Sequence, residues 1–163
     1  MNGTQPVLVA IGANLGDAEA AVRWAFARLR VLAGRDFRAS SLFRTAPVDC
    51  PPGSPDFVNA AVRFECRTGE SPESLLAQLQ RLEAMYGRAA DRARNSPREL
   101  DLDLILFGTQ TRATDALVLP HPRGHRRLFV LEPAAQVAPD LVWPGQDATV
   151  ADLCAALRTR AHG

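Results

Sequence analysis

The segment that most constrains the fold is a run of eight residues in which apolar and acidic side chains alternate. Residues 100–107 read Leu-Asp-Leu-Asp-Leu-Ile-Leu-Phe, and a period of two is typical of a β-strand with a buried face. Asp101 and Asp103 then leave the same face, with Cα atoms ~6.5–7 Å apart. The predicted faces are Leu100, Leu102, Leu104 and Leu106 against Asp101, Asp103, Ile105 and Phe107.

The paired aspartates predict a cation site. Two like charges at this spacing repel each other unless a cation compensates, and oxygen ligands without a nearby cysteine or histidine pair suit Mg²⁺. Two ions ~3.5–4 Å apart can be bridged by such carboxylates. The alternative is a pair of solvated carboxylates on an exposed face, which is the usual role of an isolated Asp-x-Asp. We expect two Mg²⁺ ions, held by Asp101 and Asp103.

The remaining segments predict a mixed α+β fold. The expected order is strand, helix, strand, strand, helix, strand and a helical tail, which matches ferredoxin-like βαββαβ folds. We therefore expect a two-layer α+β sandwich with a C-terminal helical extension, forming a single domain over residues 1–163. The predicted strands are 7–11, 37–44, 57–66 and 100–107, and the predicted helices are 17–32, 72–87, 129–137 and 149–157.

Composition excludes several classes of partner. The chain carries 19 Lys plus Arg against 18 Asp plus Glu, so no global field draws it toward nucleic acid or a membrane. Cys50, Cys66 and Cys154 are odd in number and widely spaced, which disfavours a disulfide framework or a zinc site. No stretch approaches the ~20 apolar residues of a membrane span. We expect a cytoplasmic monomer that acts on small molecules.

Arginines cluster just before the acidic strand, at Arg88, Arg92, Arg94 and Arg98. The segment has lost its apolar period after Gly87, which we interpret as the end of a helix and the start of a mobile loop. Guanidinium groups there can bind phosphate oxygens in pairs and stabilise a transferring phosphoryl group. The alternative is an arginine-rich surface loop paired with Asp91 or Glu99.

No glycine-rich phosphate loop accompanies these arginines. Gly12 and Gly16 are not followed by the Lys-Ser or Lys-Thr of a Walker motif. A bound triphosphate would therefore depend on metal and arginine.

Six short motifs occur in order along the chain. They are Thr45-Ala46-Pro47, Phe57-Val58-Asn59-Ala60-Ala61, Gln80-Arg81-Leu82-Glu83, Pro97-Arg98-Glu99-Leu100-Asp101-Leu102-Asp103, Pro120-His121-Pro122-Arg123 and Phe129-Val130-Leu131. Each is weak alone, but together they resemble the hydroxymethyl-dihydropterin pyrophosphokinase family over nearly the whole chain.

The resemblance implies an activity and a set of site residues. The chain would be an ATP-dependent diphosphotransferase that converts 6-hydroxymethyl-7,8-dihydropterin and releases AMP in folate biosynthesis. Asp101 and Asp103 would hold both Mg²⁺ ions. Phosphate and nucleotide contacts would come from Gln80, Glu83, Arg98, His121 and Arg127, with Arg88 and Arg94 as further loop arginines. The pterin pocket would comprise Thr45, Pro47, Val48, Phe57, Asn59 and Phe129.

The residues of this pocket also suit a heterocycle on chemical grounds. Asn59 offers both a donor and an acceptor to a ring edge, and aromatic faces stack on flat bicyclic rings. The alternative for Phe57 and Phe129 is ordinary core packing.

The chain departs from the family pattern before the Pro97-Arg98 pair. Asn95-Ser96 stands where members usually have Trp-Gly, which removes an aromatic ring expected over the pterin, and Ala90 replaces a frequent loop arginine. This departure could reflect a related enzyme that acts on a modified pterin. Two further alternatives are a non-catalytic member that binds a partner and a ferredoxin-like RNA-binding module, which shares the same order of strands and helices. RNA-recognition domains stack bases on aromatic rings of an exposed sheet face. This chain has no such rings on the corresponding predicted face, which disfavours the RNA-binding alternative.

Overall fold

The computed structural model describes residues 4–14, 17–46, 52–53, 56–94 and 100–162, with backbone alone at 88–94 and 162. The strands are β1 (Pro6–Ala13), β2 (Arg35–Ala39), β3 (Phe43–Thr45), β4 (Phe57–Glu65), β5 (Leu100–Phe107), β6 (Arg112–Ala113), β7 (Val118–Leu119), β8 (Val142–Trp143) and β9 (Ala148–Thr149). The helices are α1 (Ala18–Leu32), α2 (Pro72–Arg94), α3 (Leu128–Val137) and α4 (Val150–His162), with a 3₁₀ turn at Gly124–Arg126.

The main sheet has five strands in the order β2-β4-β1-β5, and β3 pairs with β4 beside β2. Every pairing in it is antiparallel. The prediction of a mixed α+β fold is confirmed. The predicted strand 37–44 forms two strands, β2 and β3, which both pair with β4.

One face of the sheet is covered by α1 and α2, whose apolar stripes pack on alternate strand residues. The helix residues of this cluster include Val22, Leu29, Leu75 and Leu79, all fully buried. α1 begins where Asp17 accepts a hydrogen bond from the Ala20 N–H at 3.0 Å, which satisfies one of the free donors at the helix start.

The opposite face is also covered, which corrects the expected two-layer sandwich. α3 and α4 pack there in a second cluster that includes Leu8, Ile105, Leu131 and Trp143. Ala61 of β4 belongs to this cluster and is only 1% exposed, and Val62 beside it is buried in the cluster under α1 and α2, so β4 is buried on both faces. The expected C-terminal helical extension therefore forms a third layer, because apolar strand residues on this face need a cover.

A β-bulge reverses the alternation near the end of β5. Leu8 pairs with Leu106 but Val9 pairs with Leu104, so Ile105 is the extra residue. Leu106 consequently packs with Ile105 against α3 and α4, whereas Phe107 packs against α1 and α2. The predicted faces of Leu106 and Phe107 were wrong because one extra residue switches sides.

α2 also differs from its prediction. It continues through Gly87 to Arg94, so the first part of the expected arginine loop is helical. A glycine in a helix interior costs only about 1 kcal/mol, and the apolar stripe before it anchors the helix. Among the described residues, none of the helices is long and apolar enough to cross a membrane.

Candidate functional site

A cleft opens on the α3 face of the sheet, where α3 begins. Its acidic half has a volume of about 230 Å³ and lies over the ends of β1, β4 and β5. An apolar half of similar volume adjoins it beside β3. The two halves share Phe57, Asn59 and Phe129 as walls, so a ligand in one half lies directly beside a ligand in the other.

The acidic half contains both aspartates of β5. Asp101 pairs across the ladder with Gly12, and Asp103 pairs with Ala10. Both carboxylates are exposed and line the cleft. The residues opposite them are small, so the floor above β1 stays open to a ligand.

The two aspartates suit a cation whose remaining ligands come from a bound substrate and from water. Among the described residues, no three His, Cys, Asp or Glu side chains form a group able to hold a metal ion. Mg²⁺ is commonly bound through one or two carboxylates, with waters and substrate phosphates as its other ligands. Asp101 and Asp103 on one open face fit that type of site.

His121 is docked against the edge of β5. Its backbone N–H donates to the carbonyl of the bulged Ile105 at 3.0 Å, and its Nδ1 accepts from the Arg123 N–H at 3.1 Å. Because Nδ1 accepts, the neutral ring carries its proton on Nε2.

The charge state of this ring follows from its surroundings. Burial lowers the pKa of His121, the Asp103 carboxylate opposes this effect, and Arg127, Arg123 and His125 reinforce it. The side chain is therefore a neutral hydrogen-bond donor at neutral pH.

Arg127 is the N-cap residue of α3 and brings a positive charge to the cleft. Its guanidinium lies 5.5 Å from the centroid of the Phe129 ring, a cation–π distance. Its carbonyl accepts from the N–H groups of Val130 and Leu131 at 3.0 Å, which holds the backbone of the residue in place. Arg127 thus lies between the acidic half and the ring of the apolar half.

Glu83 reaches β5 from α2. Its Oε2 accepts a hydrogen bond from the Leu102 N–H at 2.7 Å. Burial raises the pKa of Glu83; the hydrogen bond from Leu102 lowers it, and the charges of Asp101 and Asp103 raise it further. Gln80, one turn earlier on α2, is exposed. The expected nucleotide-facing pair therefore has different surroundings at its two positions.

The apolar half is lined by Thr45, Ala46, Phe57, Asn59 and Phe129. Asn59 is only 5% exposed, and its Nδ2 donates to the Thr45 hydroxyl at 2.9 Å. Phe129 is 43% exposed, so its ring is accessible to a ligand in this half of the cleft. This half suits a flat heterocycle with a polar edge.

Comparison with known proteins identifies the family. The model of 7,8-dihydro-6-hydroxymethylpterin-pyrophosphokinase (HPPK) matches residues 8–139. The chain belongs to this family.

Two bacterial relatives carry the name 2-amino-4-hydroxy-6-hydroxymethyldihydropteridine pyrophosphokinase. The Bacillus subtilis protein is 38% identical over 130 residues, covering 79% of this chain and 75% of that protein. The Synechocystis protein is 36% identical over 147 residues, covering 90% and 73% respectively. The chain thus spans about three quarters of each of these relatives.

A solved structure supports the fold. Plasmodium falciparum HPPK-DHPS with SDX-DHP superposes with a TM-score of 0.75 at 13% identity, covering 98% of this chain and 45% of that one. This chain therefore spans less than half of the Plasmodium protein. The similarity at this identity concerns the architecture alone.

Several residues predicted for an HPPK site lie together in the cleft, and others lie outside the residues that the structure describes. Thr45, Phe57, Asn59, Phe129, Asp101, Asp103 and Arg127 line its two halves. Pro47, Val48 and Arg98 lie outside the described residues, as do the side chains of Arg88 and Arg94.

Sequence reasoning missed the floor of the cleft. Ala10 and Gly12 lie under the acidic half, and Ala46 lines the apolar half. The small residues of β1 become informative only when its register with β5 is known, because register decides which of them oppose the aspartates.

Proposed function

We propose that this chain transfers the pyrophosphoryl group of ATP to the hydroxymethyl group of 6-hydroxymethyl-7,8-dihydropterin and releases AMP, in folate biosynthesis. Family membership supports the reaction. The observation that carries the proposal is the pair of adjoining half-clefts with shared walls at Phe57, Asn59 and Phe129. A flat ring in one half would hold its hydroxymethyl arm toward phosphates in the other.

The apolar half would bind the pterin. Phe57 and Phe129 offer rings for stacking, and the buried amide of Asn59 offers hydrogen bonds to the edge of the heterocycle. The hydrogen bond between Asn59 and Thr45 fixes the orientation of that amide. Pro47 and Val48 belong to the same proposed pocket through the family resemblance.

The acidic half would bind the triphosphate. Asp101 and Asp103 would hold two Mg²⁺ ions brought with ATP, and these ions supply charge neutralisation and orientation of the phosphates. Arg127 and the neutral Nε2–H of His121 would donate to phosphate oxygens. Arg88, Arg94 and Arg98 would complete the phosphate contacts, and Gln80 would face the nucleotide.

The reaction would proceed by positioning and charge stabilisation, without a covalent enzyme intermediate. The hydroxymethyl oxygen forms a bond to the β-phosphorus and loses its proton, while the bond from that phosphorus to the α,β-bridging oxygen breaks. AMP then leaves with that oxygen. The walls shared by the two halves would bring the attacking oxygen and the phosphorus together.

The finer fold and the state of the protein are also proposals. The order β2-β4-β1-β5 with α1 and α2 on one face supports a ferredoxin-like core. We take residues 1–163 as one domain, monomeric and cytoplasmic. An RNA-binding role is disfavoured because α3 and α4 cover much of the sheet face that RNA-recognition domains leave open.

The test is product analysis with ATP, Mg²⁺ and 6-hydroxymethyl-7,8-dihydropterin. We expect AMP and the pyrophosphorylated pterin in equal amounts, and the loss of both with Asp101→Ala or Asp103→Ala. Asp115→Ala, at an exposed position between β6 and β7, is the matched control. ADP in place of AMP, or full rates in the β5 variants, would refute the proposal. A higher rate on a modified pterin would redirect it to that substrate.

A further inference from the structure

β5 is an edge strand of the five-stranded sheet. The outward N–H and C=O groups of an edge strand lack a strand partner, and they need other groups to hold them. Among the hydrogen bonds that reach the backbone of β5 from outside the sheet, one comes from His121 and one from Glu83. His121 donates its backbone N–H to the carbonyl of Ile105, and Glu83 accepts from the N–H of Leu102.

The second contact falls at the centre of the acidic pair. Leu102 lies between Asp101 and Asp103, and its N–H points away from β1 toward α2. Because alternate residues of an antiparallel strand direct their backbone groups to opposite sides, both aspartates form their ladder bonds with β1. A fixed Leu102 amide therefore fixes the peptide planes on both sides and the directions in which the two carboxylates leave the strand.

A carboxylate at position 83 is costly in this environment. It is half-buried, and the negative charges of Asp101 and Asp103 oppose its own. Its neighbours on α2 include Leu79 and Leu82, which are buried in the core, so an apolar side chain would pack there without that cost. The described residues include no three-carboxylate group suited to a metal, which argues against Glu83 as a third ligand.

We propose that Glu83 is a positioning residue, which holds the acidic strand in register for cation and triphosphate through the Leu102 amide. This inference rests on the proposed function, because it concerns the same pair of aspartates. It assigns to Glu83 a role that acts through the backbone of β5 and needs a hydrogen-bond acceptor at a fixed reach, not a negative charge.

Two conservative variants separate reach from charge. Glu83→Gln keeps an acceptor oxygen at the same distance and removes the charge, whereas Glu83→Asp keeps the charge and withdraws the oxygen by about one C–C bond. Glu73→Gln, a carboxylate at the other end of α2 paired with Arg112, is the matched control. Thermal melts establish that each variant folds.

The first measurement is hydrogen exchange of the Leu102 amide in the metal-free protein. The second is binding of Mn²⁺ together with a nonhydrolysable ATP analogue. We expect Glu83→Asp to lose amide protection and to bind the cation and nucleotide about ten- to a hundredfold more weakly, as outer contacts of metal ligands do. We expect Glu83→Gln and Glu73→Gln to retain both properties.

Two results would overturn the proposal. In one, Glu83→Asp loses protection of the Leu102 amide but binds cation and nucleotide normally. In the other, Glu83→Gln keeps the Leu102 amide protected but binds as weakly as Glu83→Asp, which would show that a fixed amide does not sustain cation and nucleotide binding. Both results come from hydrogen exchange and binding measurements, which do not require turnover. A wild-type protein that forms no AMP would therefore refute the proposed reaction without deciding the role of Glu83.

Discussion

Asn59 and Thr45 are joined by a side-chain hydrogen bond of 2.9 Å between neighbouring strands. Asn59 lies on β4 opposite Phe43, and Thr45 lies opposite Phe57. The bond therefore spans a diagonal of the β3–β4 ladder and fixes a buried amide against the wall of the apolar half-cleft. Any ligand that forms hydrogen bonds with the Asn59 amide therefore depends on the Thr45 hydroxyl, which orients that amide.

Replacing this hydroxyl should weaken pterin binding selectively. In Thr45→Val the Asn59 amide loses its acceptor in a buried position, which costs about 1–3 kcal/mol. We expect roughly tenfold weaker pterin binding by calorimetric titration, with the nucleotide affinity unchanged. Thr45→Ser keeps the hydroxyl and serves as the control. Equal pterin affinity in Thr45→Val and wild type would show that pterin binding does not depend on the Thr45 hydroxyl.

The acidic strand was predictable because its information is local. The predicted strand 100–107 matches β5 in both bounds, since an alternating pattern of eight residues specifies a strand without help from the rest of the chain. The predicted start of α1 at Asp17 is likewise confirmed by its side-chain cap. Short-range chemistry of this kind needs only neighbouring residues.

The third layer and the bulge depend on contacts between distant parts of the chain. Ala61 is buried by α3, which lies about 70 residues later in the sequence, and alanine alone does not specify which face of a strand is covered. The bulge at Ile105 follows from its pairing with β1. The cleft depends on both features. The start of α3 places Arg127 and Phe129 beside the sheet, and the bulged Ile105 supplies the carbonyl that accepts the hydrogen bond from His121.

Asp103→Asn should separate cation binding from stability. The side chain is exposed, so its replacement is expected to change the free energy of unfolding by no more than about 0.5 kcal/mol. Loss of one of two carboxylates should raise the Mg²⁺ concentration needed for nucleotide binding and reduce AMP formation about a hundredfold or more. Mg²⁺ titrations and urea denaturation measure the two effects. A large loss of stability would instead assign Asp103 to the fold.

His121 should make stability depend on pH. Its folded-state pKa is lowered below the ordinary value of 6.5, first by burial, so the unfolded chain binds a proton before the folded protein does. The free energy of unfolding should therefore fall as pH drops through about 6.5 toward the folded pKa. His121→Gln should reduce this dependence, measured by urea denaturation at about pH 7.5 and 5.5. An identical slope in variant and wild type would contradict the assignment.

Substitution by alanine should change stability in opposite directions at Gly87 and at Gly124. A Cβ at Gly87 would meet nothing within 4 Å, and the residue lies inside α2. Gly87→Ala should therefore raise the free energy of unfolding by about 0.8–1 kcal/mol, the difference between the two residues in helix propensity. Thermal or urea denaturation measures it, and a decrease would indicate that α2 is not helical at this position.

A Cβ at Gly124 would lie 3.0 Å from Cη2 and 3.3 Å from Cζ2 of the Trp143 indole. Trp143 is only 1% exposed, so its ring has little room to retreat, and Gly124→Ala should destabilise the fold by about 1–3 kcal/mol. The 3₁₀ turn leads directly into Arg127, so strain there should also weaken nucleotide binding. Trp143→Phe, which shortens the ring, should restore part of the affinity when combined with Gly124→Ala. If the double variant binds no better than the single one, the indole contact is not the cause.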